Sequence, residues 1–126
     1  MSSASHIELS LVIPTFNEEG NVQRLYSELR LVLEQLQIVD YEVIFIDDGS
    51  SDQSLQHIEA LRAQDTNVHY LQFSRNFGHQ HALKAGLDHA RGAAVISLDA
   101  DLQHPPALIA NMVQLWRQGA EVVYTR

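Results

Sequence analysis

The sequence contains no cysteine. Disulfides and thiolate metal sites are therefore excluded, and a reducing compartment is allowed. Basic residues are scarce: 8 Lys and Arg stand against 16 Asp and Glu, for a net charge of -8. That balance argues against binding a nucleic-acid backbone, which needs clustered Lys and Arg. It is compatible with binding a divalent cation. No apolar run approaches the ~20 residues of a membrane span. The first ten residues, MSSASHIELS, lack the basic start and apolar stretch of a signal peptide. The chain is expected to be soluble, which leaves open whether a longer protein is membrane-bound. Internal repeats, linkers and low-complexity stretches are also missing. What is present is 126 residues, 45% of them hydrophobic, enough for one domain with a real core.

Short apolar runs alternate with longer amphipathic ones. Glu8 to Pro14 reads as a strand closed by proline. Glu18 to Gln37 places Val22, Leu25, Leu29, Val32, Leu33 and Leu36 on one helical face, with Asn17 as N-cap. Tyr41 to Ile46 reads as a second strand ending in Asp47, Asp48 and Gly49. Ser51 or Asp52 then caps a helix carrying Leu55, Ile58 and Leu61. Val68 to Phe73 is a third strand, Arg75 to Gly78 a loop, and a helix follows to about Ala90. Ala93 to Leu98 is a fourth strand. Pro105 and Pro106 open a helix that runs to Gln118, proline being suited to a first turn. Glu121 to Thr125 begins a fifth strand. This alternation predicts an α/β fold with a parallel-dominated open sheet and helices on both faces. Residues 1–7 are expected to form a leader without fixed structure. Ending on a strand leads to the expectation of a truncated domain over 8–126.

In open α/β sheets ligands bind beyond the carboxyl ends of the strands. Three polar clusters fall there: Pro14 to Glu18, Asp47 to Ser50, and Asp99-Ala100-Asp101. Glu18, Asp47, Asp48, Asp99 and Asp101 would then crowd one cleft. Packed like charges are costly unless a cation offsets them. Mg²⁺ or Mn²⁺ suits such oxygen ligands and keeps open positions for phosphate oxygens. An acidic pair at a strand end also serves as a cap or turn former, so the triplet alone does not decide. The string DADLQHPP is more specific, because Gln103 adds an oxygen ligand and the prolines fix the helix start beside it.

The segments VIPTFNEEGN, IDDGSSD, SRNFG and SLDADLQHPP, in this order, resemble glycosyltransferase family 2. The likeness is greatest to the branch with dolichyl-phosphate mannosyltransferase and bacterial polyprenyl-phosphate sugar transferases. It covers nearly all of the chain after Ile7. The resemblance implies a GT-A fold, of which this chain is the Rossmann-like nucleotide-sugar-binding half. It implies that Pro14, Phe16 and Glu18 line the nucleoside pocket, and that Ile46 and Asp48 touch base or ribose. It further implies that Asp99 and Asp101 bracket the diphosphate and metal, that Ala100 contributes its backbone, and that Gln103 joins the metal shell. Asp47 is the less certain member of its pair. Arg126 lies about one residue from the place where family members put a phosphate-contacting Arg, and is left out of the site.

Other residues carry milder readings. His79 and His81 have no acidic partner at matching spacing and read as surface or loop histidines, and His104 as a neighbour of the acidic pair. Met112, Val113 and Trp116 fall on one apolar helix face and read as core. Lys84 reads as solvated. For Arg75 and Asn76, contact with a phosphate or sugar and a loop held by local hydrogen bonds are equally open.

A receiver domain would need its acidic pair after strand one, and a haloacid-type phosphatase its D-x-D there too; neither fits. The expected activity is transfer of a sugar from a UDP- or GDP-linked donor by metal-assisted inverting displacement. The acceptor implied by the resemblance is a polyprenyl phosphate, at the cytoplasmic face of a membrane. A glycan or other hydroxyl acceptor, or a non-catalytic nucleotide-binding module, remains the alternative.

Overall fold

A computed structural model describes residues 6–101 and 106–117, without the side chains of 106–109 and Trp116. The expected fifth strand, Gln103, His104, Pro105 and Arg126 lie outside the described residues. The elements run β1 (Leu9–Thr15), α1 (Val22–Gln35), β2 (Tyr41–Asp47), α2 (Ser54–Gln64), β3 (Val68–Gln72), α3 (His79–His89), β4 (Ala94–Ser97) and α4 (Pro106–Arg117). Four strands form one sheet in the order β3-β2-β1-β4. Every pairing is parallel, with Leu9 opposite Tyr41 and Ala94, and Val43 opposite Val68. Parallel neighbours need a crossover, and the helices provide it.

All seven residues of β1 and all seven of β2 are buried, as expected for central strands covered on both sides. Alternation sends Leu9, Leu11 and Ile13 to one face, with Val43, Phe45, Val68 and Ile96. There they meet Leu25, Leu29 and Leu33 of α1, Ile58 and Leu61 of α2, and Met112 and Val113 of α4. Val12, Ile44 and Ile46 point the other way, against Ala82 of α3, with Leu83 and Leu87 packed around them. Gly86 lets α3 lie this close: a Cβ there would come within 2.4 Å of Val12 and 2.6 Å of Ile46. The two-sided α/β architecture expected from the sequence is thus present.

Two polar networks close the amino-terminal edge of the sheet. On the α3 side, Glu42 is 2% exposed and accepts from Ser10 Oγ at 2.6 Å and from the Arg91 N–H at 2.7 Å. Burial pushes its carboxyl up, but the bonds from Ser10 and Arg91 outweigh this and hold it below the usual range. On the other side, Asp65 accepts from Tyr26 at 2.5 Å and Tyr41 at 2.9 Å, with Arg30 bonded to Tyr41. Burial raises that carboxyl too, and the bonds from Tyr26, Asn67 and Tyr41 bring it below its ordinary value.

The start of α1 differs from the expectation. The helix begins at Val22, with Asn21 in the N-cap position. Asn17 instead takes a left-handed φ of 54°, which asparagine tolerates. Its N–H donates to Ser50 Oγ at 2.9 Å, and its Oδ1 accepts from the Ser51 N–H at 2.8 Å. The loops after β1 and β2 are therefore bound to each other. Asp52 does accept from the Ser54 N–H at 2.9 Å, opening α2, and it also ties back to the Glu19 N–H at 3.1 Å.

Candidate functional site

From β1 the chain crosses outward to β2 and β3, then returns to place β4 on the other side of β1. The winding reverses between β1 and β4, which is where open α/β sheets leave a crevice at their carboxyl edge. A cleft of about 900 Å³ lies there. After β1 it is lined by Pro14, Thr15, Phe16 and Glu18. From the end of β4 and the residues after it come Ser97, Asp99, Ala100 and Asp101, and Asp48, just after β2, lines it too. Phe16 is 46% exposed, an apolar ring turned to solvent. Glu18 is fixed by its own N–H, which donates to Ser54 Oγ at 2.7 Å, and by Asn21 Nδ2 on its Oε1 at 2.9 Å.

Two expected residues are elsewhere. Ile46 does not reach the cleft: its side chain is wholly buried under Gly86 of α3. Asp47 is 2% exposed and points to the opposite face of the sheet from Asp48, because successive strand residues alternate. Its Oδ1 accepts no hydrogen bond among the described residues.

Asp48 has a role that spacing did not reveal. It is 3% exposed, and its carboxylate grips the loop after β3. Oδ1 accepts from the Phe77 N–H at 2.8 Å, and Oδ2 from the Gly78 N–H and Asn76 Nδ2, each at 3.1 Å. Gly49 completes the junction. Its φ is +73°, and a Cβ there would meet the Arg75 carbonyl carbon at 2.3 Å. The loop so held and the start of α3 present Asn76, Gly78, His79 and Gln80 to the cleft; the sequence left Asn76 open and assigned none of the others. The signal available was Asn-Phe-Gly at a strand's carboxyl end, with Gly78 at φ 108°. Asn76 is both a cleft residue and a bonded one, whereas Arg75 turns away to stack on the Phe77 ring at 4.3 Å.

The histidines divide. His79 has an acidic partner after all: its Nε2 lies 3.3 Å from Asp99 Oδ1. The partner lies just after β4, twenty residues away, so helical spacing could not show it. His81 is exposed beside Phe77, and Lys84 pairs with Asp88 at 2.8 Å on the outer face of α3. Met112 and Val113 are core.

As a metal centre the described residues supply a hard oxygen pair, Asp99 and Asp101, on one cleft wall. That chemistry suits Mg²⁺ or Mn²⁺, ions that complete their shells with water and phosphate oxygens. No group of three or more His, Asp or Glu able to hold a metal occurs among the described residues. No described helix is long and apolar enough to cross a membrane.

Known proteins resemble this chain in sequence and in fold. Bactoprenol glucosyl transferase of Shigella phage SfV is 42% identical over 120 residues, which is 95% of this chain and 39% of that protein. The chain thus spans about two fifths of that relative's length. The crystal structure of S. aureus TarS 1-349 in complex with UDP-GlcNAc superposes with a TM-score of 0.71 at 25% identity, covering 89% of this chain and 32% of that one. Mannosyltransferase PcManGT from Pyrobaculum calidifontis, solved with GDP-Man and Mn²⁺, shares the fold with a TM-score of 0.71 at 22% identity, over 86% of this chain and 32% of that one. The family model for glycosyl transferase family 2 matches residues 10–126, and on that match the chain belongs to this family.

Proposed function

We propose that this chain is the donor-binding part of a transferase that moves a sugar from a nucleotide-diphospho-sugar to a polyprenyl phosphate. The observation that carries the reading is the two-sided cleft at the switch point. On one side stand Pro14, Phe16 and Glu18, on the other Asp99, Ala100 and Asp101. The exposed Phe16 ring and Pro14 offer an apolar surface for a nucleoside, with Glu18 placed to accept from hydroxyl or ring N–H donors. The Ala100 backbone, between its two aspartates, faces the diphosphate.

Asp99 and Asp101, with Gln103, would hold a Mg²⁺ or Mn²⁺ ion. Such an ion supplies positive charge that stabilises the departing nucleoside diphosphate. An acceptor phosphate oxygen forms the new bond to the anomeric carbon as the bond to the diphosphate breaks, with inversion. A phosphate acceptor is already ionised near neutral pH, so no strong general base is required of this chain. The lipid acceptor is supported by the similarity to a bactoprenol glucosyl transferase, and the nucleotide and ion by the UDP-GlcNAc and GDP-Man–Mn²⁺ complexes of proteins with this fold. A lipid acceptor would put the reaction at the cytoplasmic face of a membrane.

Calorimetry with UDP and GDP, with and without Mn²⁺, tests the donor site. Binding is expected with Mn²⁺ for one nucleotide, at least tenfold weaker without it, and lost in Asp101→Ala. Equal binding in both conditions, or binding undiminished in Asp101→Ala, rejects the site. Incubation with a labelled nucleotide-sugar and polyprenyl phosphate tests the acceptor through the appearance of a lipid-linked sugar.

A further inference from the structure

The cleft walls are unbalanced in charge. Glu18, Asp48, Asp99 and Asp101 all line them, and among the described lining residues His79 is the single basic side chain. A nucleoside diphosphate is itself an anion, so beside the cation its oxygens call for N–H donors on the cleft wall. His79 is placed for that. It is the first residue of α3, and its Nε2 lies 3.3 Å from Asp99 Oδ1. Its side chain is 57% exposed, which leaves it room to turn from Asp99. Its position along the wall is not left to chance. The Asp48 carboxylate holds the N–H groups of Phe77 and Gly78, the two residues immediately before it.

We propose that His79 is a donor-binding residue. Its Nε2 stands 3.3 Å from Asp99 Oδ1; with the donor bound, it donates to a diphosphate oxygen. The inference rests on the donor-site reading above but assigns a residue that neither the motif pattern nor the family match singles out.

The test compares UDP and GDP with their nucleosides, uridine and guanosine, in the presence of Mn²⁺, and adds a titration of Mn²⁺ alone. In His79→Ala the affinity for the diphosphate should fall about tenfold or more, the worth of one hydrogen bond to a charged group. Affinity for the nucleoside should stay within about twofold, because the lost contact is on the phosphate side. Mn²⁺ alone should bind no more weakly than to the wild type. His79→Gln, which keeps an N–H donor, should recover part of the loss. Equal weakening of nucleoside and diphosphate would show a collapsed wall and overturn the proposal, as would unchanged diphosphate binding. These failures leave the wild-type donor site standing. A wild-type chain that binds neither nucleotide would instead remove the donor-site reading, and His79 with it.

Discussion

Asp48 shows how one side chain organises a site from beneath it. Its two oxygens satisfy two backbone N–H groups and an amide from residues 28 to 30 positions away. Asp48→Ala would leave those donors short of an acceptor. It should cost about 2 kcal/mol of stability, measured by urea denaturation, since each buried unsatisfied donor costs about 1–3 kcal/mol. Nucleotide affinity should fall in parallel, because the wall carrying Asn76 and His79 would no longer be fixed. Asp48→Asn keeps one acceptor oxygen and should lose less on both measures. Its place at the strand edge beside the cleft was legible in the sequence, but its partners were not. The partners of Asn17 and His79 were not legible either. Each bonds across loops separated by twenty or more residues, and spacing along the chain carries no information about such pairs.

At the scale of elements, periodicity carried most of the reading. The apolar runs of β1 and β2 and the one-face spacing in α1 have one cause, burial of one face or both against a neighbour. Where a boundary was displaced, a local competitor explains it. The first turn expected for α1 at Glu18 is taken instead by loop bonds from Asn17, Glu18 and Glu19 to Ser50, Ser54 and Asp52. Ile46 is given to the ligand by the family resemblance. The fold gives it to α3, a choice that depends on which face of the sheet that helix covers. Gly86 marks the contact. Gly-to-Ala inside a helix ordinarily gains up to about 1 kcal/mol. Gly86→Ala should instead lose about 1–2 kcal/mol, because its methyl would be driven into Val12 and Ile46. A lowered thermal midpoint checks this, and Ile46→Val in the same chain should restore part of it.

Across the whole molecule, polar chemistry is sorted to the two edges of the sheet. The carboxyl edge holds the open cleft, and the amino edge is locked by the Glu42 and Asp65 networks. Both locking carboxylates titrate below their ordinary values, so their contribution is fully present above about pH 4.3, the ordinary range of such groups. It is lost as the pH falls through their lower folded values. Stability should therefore decline on the acid side, and Glu42→Gln should flatten that decline while costing about 2 kcal/mol at pH 7. Thermal midpoints across pH 2–7 for both proteins would show it. Donor binding at neutral pH should be little changed in Glu42→Gln, since the network lies at the far edge.

The junction between Gly49 and the Arg75–Asn76 backbone has a consequence for how this protein tolerates variation. The contact is made by main chain against main chain, so it constrains the two sides unequally. Position 49 has no room for any side chain, however conservative. Position 75 offers only its backbone to the junction and leaves its own side chain outside, over Phe77. In a population of functional variants, the first position would be frozen while the second drifts, although the two touch.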